Sequence, residues 1–142
     1  MTGAPRAFVT GIGGQDGSYL AERLLADGYD VHALAHGHEP LPFCPAGVVL
    51  HRGDLRDAPA MRSLIAQIEP QEVYNVAGMS SVAACWADPD ACAAINGAAV
   101  ATVLAAALEC QERTGRQVRL VQASSAAMFG DPEHSPQHED TP

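Results

Sequence analysis

Three glycines spaced three apart, Gly11, Gly14 and Gly17, follow an apolar run and precede a helical pattern near the start of the sequence. Because glycine has no Cβ, the turn can take positive φ and its backbone can approach a ligand closely. The N–H groups and the positive dipole end of the following helix would then face an anion. With a strand before it and a helix after it, the spacing predicts a turn that binds the pyrophosphate of a dinucleotide.

The residues after the second predicted strand are candidates for reading the adenosine ribose, because ligands of such sheets lie across the carboxyl ends of the strands. A carboxylate at this point favours NAD and an arginine favours NADP, and neither is present between Ala35 and His38. His36 would contact a phosphate when it is protonated, or it is a solvated loop histidine.

Polar and small residues follow the next three predicted strands. After strand three, Asp54 would accept a hydrogen bond from the adenine amino group while Leu55 covers the ring; alternatively, Asp54 only caps the helix entered through Asp57. The small residues after strand four allow close approach of a cofactor, and the hydroxyls after strand five are placed where nicotinamide and substrate should meet. These candidates are Ala77, Gly78, Ser80, Ser124 and Ser125.

The elements that must position these residues alternate along the chain. Apolar runs typical of buried strands cover residues 7–10, 31–35, 47–51, 72–76 and 118–123, and helical patterns cover 17–27, 58–68 and 89–114. This alternation predicts an α/β fold with a doubly wound, Rossmann-like parallel sheet in the order 3-2-1-4-5. Residues 1–130 would form the dinucleotide-binding domain, and residues 131–142 a loop or tail.

Length and composition restrict the function further. The 142 residues suit one domain, and 47% hydrophobic with 18% charged residues is ordinary for a globular protein. A net charge of −9 argues against nucleic acid and anionic membranes as partners. The apolar stretch 91–108 is interrupted by Asn96 and suits a packed helix, so we expect no membrane span and a cytoplasmic location. The four cysteines are expected to be free thiols, and no metal ligands are assigned.

Beyond these patterns, the sequence resembles the amino-terminal half of the GDP-mannose 4,6-dehydratase family of extended short-chain dehydrogenases/reductases. The resemblance covers the whole chain and is strongest over residues 14–20, where a generic member of the superfamily often has Gly-Phe-Ile-Gly. The matching segments are residues 10–22, 53–55, 73–77, Ser81-Val82 with Trp86, and 122–125 with Phe129-Gly130.

The resemblance implies a tightly held NADP(H) that takes hydride from C4 of a nucleotide-linked hexose and returns it at C6 after water is lost. It assigns Ser125 to the catalytic hydroxyl position and Ser80 to the substrate. The implied cofactor residues are Gly11, Gly14, Gln15, Asp16, Gly17, His36, Asp54, Leu55, Ala77, Gly78 and Ser124. NAD stays open as the cofactor, because His36 and Gly37 stand where the family has arginines.

Two departures from the family pattern concern the chemistry. Ala127 stands where the family has the glutamate that takes the C5 proton, and a methyl group cannot accept a proton. The family's Tyr-x-x-x-Lys motif would follow Pro142, and the sequence contains no lysine. The chain is therefore expected to be a cofactor-binding half from which the substrate-binding part is absent.

Three functions remain open at this point. The first is a nucleotide-sugar dehydratase, here an incomplete half. The second is a sugar-nucleotide 4-reductase or 4-epimerase, which needs no C5 base, so Ala127 would do no harm. The third is a non-catalytic nucleotide-binding or partner module. We expect a nucleotide-sugar substrate in the complete enzyme, and a homo-oligomer or a complementing chain to cover the open edge of strand five.

Two residues carry structural expectations. Asn96, on the long helix, is expected to bond backbone rather than a ligand. Trp86, the only tryptophan, is expected to be a packing or interface residue.

Overall fold

The fold is built on a parallel sheet, seen here in a computed structural model that describes residues 3–38 and 40–142. The described strands pair in the order β3-β2-β1-β4-β5, all parallel, which confirms the predicted fold class and strand order. Their observed bounds differ from the predicted ones by at most two residues. The strands are β1 (Arg6–Thr10), β2 (Asp30–Ala35), β3 (Val49–Arg52), β4 (Glu72–Asn75) and β5 (Arg119–Gln122).

Helices connect the strands except β2 and β3, between which the described residues form no helix. The helices are α1 (Gln15–Ala26), α2 (Ala58–Ile68), α3 (Val82–Ala87), α4 (Pro89–Ala93) and α5 (Ala99–Thr114). A wide π-helical turn, Ala94–Ala98, joins α4 to α5, so the long helix predicted over 89–114 is continuous but irregular. Asp57 accepts a hydrogen bond from the Ala60 N–H and caps α2, whereas Asp54 does not take that role.

Each face of the sheet is covered by different helices. On one face, Ala21 and Leu24 of α1 pack with strand residues such as Val9 and Val31. On the other face, α2 and α5 pack against the sheet through buried apolar residues that include Met61, Ile65, Val103 and Ala107. Because strands covered on both faces must be apolar on both faces, they appear in the sequence as continuous hydrophobic runs.

A buried chain of hydrogen bonds crosses the carboxyl ends of three strands. The Thr10 hydroxyl donates to Asn75 Oδ1 at 2.6 Å, and Asn75 Nδ2 donates to Gln122 Oε1 at 2.6 Å. The Ala77 N–H in turn donates to Thr10 Oγ1 at 3.1 Å. Thr10 and Asn75 are fully buried, so these bonds satisfy polar groups that would otherwise be costly to bury. They hold β1, β4 and β5 together at the ends of the strands where the sequence predicts a ligand.

The helical run Pro89–Thr114 is the one described segment that is long and apolar enough to cross a membrane by length and composition, with a mean hydropathy of 1.9. In this fold one side of it packs on the sheet, through buried residues that include Ala99, Val103 and Ala106, and 22% of its apolar stretch is buried. A core helix passes the same test of length and composition, so the segment is weak evidence for a membrane span.

The prediction of four free thiols is wrong for two of the cysteines. Cys85 on α3 and Cys92 on α4 form a disulfide, with their Cα atoms 5.2 Å apart. The chain reverses at Asp88, whose side chain caps α4, and this corner brings the two helices together. Cys44 and Cys110 are free, as expected.

Candidate functional site

An open cavity of about 1280 Å³ lies at the carboxyl edge of the sheet. Its walls come from the glycine turn, the segment after β4, the α3–α4 corner and the segment after β5. The structure brings most of the sequence-predicted site residues together around this cavity. They are Gly11, Gly14, Gln15, Asp16, Gly17, Ala77, Gly78, Ser80, Ser124 and Ser125.

The glycine turn is packed too closely for other residues. Gly11 has a φ of +75°, and a Cβ added there would lie 2.8 Å from the Ala77 backbone nitrogen. A Cβ on Gly17 would lie 2.2 Å from the carbonyl oxygen of Gly11. These short distances explain why glycine is required at both positions. Without side chains there, the backbones of β1, α1 and the segment after β4 can lie in contact.

The amino end of α1 faces the cavity. Gly14 is its N-cap, and no side chain of the described residues caps this end. The first N–H groups of an α-helix have no partner within the helix, and they carry the positive end of its dipole. Ser18 stabilises the first turn by donating its hydroxyl proton to the Gln15 carbonyl at 2.8 Å. The end of α1 is therefore suited to an anion such as a pyrophosphate.

The segment after β4 is held by an amide on the long helix. Asn96 Oδ1 accepts from the Met79 N–H at 2.8 Å, and its Nδ2 donates to the Met79 carbonyl at 3.0 Å. The expectation that Asn96 bonds backbone is confirmed. This contact, which we call the Asn96–Met79 clamp, fixes the strand end that carries Ala77, Gly78 and Ser80.

The segment after β5 presents hydroxyls on a short 3-10 turn, Ala126–Phe129. Ser125 Oγ accepts from the Ala127 N–H at 3.2 Å and caps this turn, which leaves its own proton for donation to another group. The Ser124 hydroxyl lies 3.6 Å from Met128 Sδ. All four of these residues are exposed, so the segment is open toward the cavity and toward solvent.

The structure does not bring His36, Asp54 and Leu55 into this cavity; they follow β2 and β3. Arg56 donates to both carboxylate oxygens of Asp54, and these hydrogen bonds lower the pKa of Asp54 to about 2. Leu55 is only 7% exposed and packs in the core beside α2 and α5. Their predicted contacts with an adenine ring or a phosphate remain predictions.

Sequence reasoning missed the wall formed by the α3–α4 corner. Cys85, Cys92 and Trp86 line the cavity, and Trp86 is 83% exposed. It therefore does not pack in the core of this chain, and the interface role also expected for it remains a prediction. The Ser81 hydroxyl caps α3 by accepting from the Ala84 N–H. The capping residues Ser81 and Asp88, the second of them directly before a proline, were the available signal for two short helices here.

Comparison with known proteins identifies the family. A family model described as GDP-mannose 4,6 dehydratase matches residues 8–142. GDP-mannose 4,6 dehydratase 1 of Arabidopsis thaliana is 40% identical over 96% of this chain, which covers 41% of that protein. The human GDP-mannose 4,6 dehydratase is 33% identical over 99% of this chain and 41% of its own length. The chain thus spans about two fifths of the length of the curated relatives it matches.

Solved structures show the same fold. The UDP-glucose 4-epimerase of Thermus thermophilus, crystallised with NAD, is 31% identical with a TM-score of 0.74, over 95% of this chain and 42% of that one. The Bordetella bronchiseptica enzyme WbmH, in complex with NAD+, has a TM-score of 0.83 over 98% of this chain and 46% of that one. At 24% identity, WbmH supports the fold alone.

The glycine turn, the sheet order and the match over residues 8–142 agree with one another. The chain belongs to the GDP-mannose 4,6-dehydratase family.

Proposed function

We propose that this chain is the cofactor-binding part of a GDP-mannose 4,6-dehydratase that uses NADP(H). The observation that carries the proposal is the glycine turn, where a Cβ on Gly17 would lie 2.2 Å from the Gly11 carbonyl oxygen. Such close backbone contact leaves the amino end of α1 open to a pyrophosphate. When bound, the nicotinamide would supply hydride transfer between C4 and C6 of the sugar.

Within this proposal each wall of the cavity has its own role. Gly11, Gly14, Gln15, Asp16 and Gly17 surround the pyrophosphate, and Ala77, Gly78 and Ser124 adjoin the rest of the cofactor. Ser80 meets the substrate, and Ser125 positions a sugar hydroxyl by donating the proton that its capping role leaves available. Residues 131–142 lead toward the segment that carries the family's tyrosine and lysine. A cytoplasmic location stays a prediction.

The preference for NADP(H) over NAD(H) is supported by cations at the adenosine end. Arg52, at the end of β3, donates from Nη1 to the Gly37 carbonyl at 3.0 Å, which holds a guanidinium beside the end of β2. His36 follows β2 directly and adds a second positive charge when it is protonated. An arginine at this point accommodates a 2′-phosphate, which NADP carries and NAD lacks.

Titration with NADPH and NADH, followed by nicotinamide fluorescence, tests cofactor binding. We expect NADPH to bind more tightly, and Arg52→Gln to weaken NADPH about tenfold by removing one charged hydrogen bond while NADH is unaffected. Arg62→Gln is the matched control, because Arg62 pairs with Glu109 on the outer surface of α2 and α5. No binding of either nucleotide below millimolar would contradict the cofactor role and favour the non-catalytic module.

A chimera tests the dehydratase activity. Residues 1–142 would be fused to the remaining part of the Arabidopsis thaliana relative, and GDP-mannose would be assayed for the 4-keto-6-deoxy product. Ala127→Glu in this chimera restores a general base and is expected to raise the rate about 10²- to 10⁴-fold over the Ala127 form. If the two forms react equally fast, Ala127 does not occupy the position of the base.

Ala127 itself favours a second candidate, a sugar-nucleotide 4-epimerase or 4-reductase. Such an enzyme transfers hydride at C4 without removing the C5 proton, and a methyl group at position 127 is compatible with that reaction. The likeness to the Thermus thermophilus epimerase supports this candidate. In the chimera it predicts oxidation or inversion at C4 without loss of water.

Exposed apolar side chains support the expected partner. Val121 on the edge strand β5 is 53% exposed, and Leu104 and Leu108 on α5 are about half exposed. Edge strands with such side chains pair readily with other chains. A second copy or a complementing chain is therefore proposed to cover this side, and a monomer in sedimentation with a cooperative melt would contradict that.

A further inference from the structure

The α3–α4 corner places two cysteines in the cavity wall. Cys85 and Cys92 are joined by a disulfide, both are half-buried, and both line the cavity. Their Cα separation of 5.2 Å lies within the range in which the bond forms without moving the backbone. Because both cysteines line the open cavity, small thiol reagents can reach the pair.

Both sulfurs touch the Asn96–Met79 clamp. Cys85 Sγ lies 3.4 Å from the Met79 carbonyl oxygen, and Asn96 Nδ2 lies 3.4 Å from Cys92 Sγ. The disulfide thus connects to the segment that carries Ser80 through two independent contacts. Opening the bond would remove the one disulfide that links α3 to α4 among the described residues.

We propose that Cys85 and Cys92 form a reversible thiol–disulfide site that controls how rigidly the Met79–Ser81 segment is held. In the oxidised state the bond fixes the corner and supports the clamp. In the reduced state the corner loosens because α3 and α4 lose their covalent link. The Cys85 thiol then donates only a weak hydrogen bond to the Met79 carbonyl, which also accepts from Asn96 Nδ2. Rigidity at Ser80 then depends on the oxidation state of the pair.

The oxidant in this proposal is a low-molecular-weight disulfide. One cysteine thiolate attacks it, forms a mixed disulfide and releases one thiolate. The other cysteine thiolate attacks the protein sulfur of the mixed disulfide, which closes the Cys85–Cys92 bond and releases the second thiolate. The two protons lost by the cysteines pass to the two released thiolates, so two electrons move from the protein to the small disulfide. A dithiol reductant reverses the sequence.

The other two cysteines are poor sites for the same chemistry. Cys110 is only 2% exposed. Burial raises the pKa of the Cys44 thiol, which lowers its fraction of reactive thiolate. They serve as internal controls for a modification confined to the corner.

Alkylation and peptide mass mapping test the site on the chain of residues 1–142. After equilibration with a dithiol, Cys85 and Cys92 are expected to be alkylated together, with circular dichroism unchanged. After excess oxidised glutathione, both are expected to be protected, and added dithiol restores alkylation. Alkylation in excess oxidised glutathione, or opening only upon unfolding, would overturn the proposal.

Two further readouts test control over the segment. Trp86 is the only tryptophan and comes directly after Cys85, so its fluorescence should change upon reduction of the wild type and not of Cys85→Ser. Exchange of the Met79 amide proton with solvent should be about tenfold faster in the reduced wild type. This is the change in rate expected when one hydrogen bond is weakened. Cys85→Ser should show the faster exchange in either redox buffer, and Cys44→Ser should behave as the wild type.

Equal exchange in the two oxidation states would overturn control of the segment even if the bond forms. None of these readouts requires a cofactor or a substrate. The proposal and the proposed dehydratase function can therefore fail separately.

Discussion

The two ends of the parallel strands, which we call the amino edge and the carboxyl edge of the sheet, differ in how their polar groups are used. At the amino edge, where the strands begin, charged side chains are paired with one another. At the carboxyl edge, where the strands end, the same sheet presents glycines, small residues and hydroxyls around an open cavity. The polar groups of the amino edge bind one another and stabilise the fold, whereas those of the carboxyl edge remain available for a ligand.

The amino edge contains two carboxylates, each with several partners. Glu69 ends α2, where a negative charge is unfavourable to the helix dipole, and it pairs with Arg6, Arg113 and Arg116. Glu72 is 6% exposed and accepts hydrogen bonds from Tyr29, Tyr74 and Arg119. Burial and the bond to Glu72 raise the pKa of Tyr74 to about 12.

The difference indicates that substitutions at the amino edge change stability alone, and those at the carboxyl edge change binding. The glycine turn and the buried chain of hydrogen bonds through Thr10 and Asn75 should be exceptions, because both belong to the binding edge yet are packed or buried as in a core. Four substitutions test this division, in order of decreasing expected effect.

Gly17→Ala is expected to have the largest effect. The new methyl group meets the backbone of Gly11 at 2.2 Å, and backbone cannot move aside as a side chain can. We expect a loss of about 3 kcal/mol in the free energy of unfolding, measured by urea denaturation. Gly97→Ala is the control: a Cβ there meets nothing within 4 Å, and alanine in a helix should stabilise by about 0.5–1 kcal/mol. Equal effects would contradict the tight packing of the turn.

Thr10→Val tests the buried chain beneath the cavity. The change keeps the side-chain shape but leaves Asn75 Oδ1 and the Ala77 N–H without their partner. We expect a loss of about 1–3 kcal/mol in the free energy of unfolding, since buried polar groups are left unsatisfied. Thr102 is half-buried, and its hydroxyl donates to the Ala98 carbonyl one turn earlier in a solvent-exposed hydrogen bond, so Thr102→Val should change stability by less than about 0.5 kcal/mol. A loss no larger than that of the control would show that the chain of bonds is dispensable.

Glu72→Gln sharpens the comparison from the amino edge. Burial alone would raise the pKa of Glu72, but hydrogen bonds from Tyr74, Arg119 and Tyr29 lower it overall, below its ordinary value of 4.5. Its contribution to stability is therefore present above pH 4.5 and is lost as the pH falls through the lower folded-state pKa. The variant should lose about 1 kcal/mol at neutral pH and show a flatter acid limb in thermal melts. Cofactor affinity should not change, and a change would break the division between the edges.

Ala127→Glu is expected to have the smallest effect on folding. The residue is exposed on the 3-10 turn after β5, so its side chain enters no packed environment. The free energy of unfolding should change by less than about 0.5 kcal/mol, measured as above. A larger loss would mean that the segment after β5 contributes to stability as the amino edge does.

The fold could be predicted because its signals are local. Strands buried on both faces appear as short apolar runs, and the glycines mark positions where a Cβ has no room. Alternation of strands with helices then leaves few possible connections, and the observed order is one of them. Local signals fail at the cap of α2, where Asp54 is a candidate for the cap in the sequence and Asp57 takes that role.

The wall of the site formed by the α3–α4 corner could not be predicted. Its contacts join residues that are far apart in the sequence, or they depend on how the chain turns between α3 and α4. Asn96 meets Met79 across 17 residues. Cys85 and Cys92 pair only because the chain reverses at Asp88, and their spacing alone does not indicate it. Trp86 resembles a core residue by type, but α3 turns it toward the cavity. Such arrangements depend on packing of the complete fold, whereas the glycine turn depends on its own backbone.

The π-helical turn Ala94–Ala98 changes the phase of the long helix. In an uninterrupted α-helix, seven residues make nearly two full turns, so Asn96 would lie on the same stripe as Val103, which is fully buried. One extra residue in a turn rotates the helix before it by about 100° relative to the helix after it. Asn96 is consequently exposed at the cavity while α5 keeps its apolar stripe on the sheet. A single irregular turn thus lets one helix serve the core and the site with two different faces.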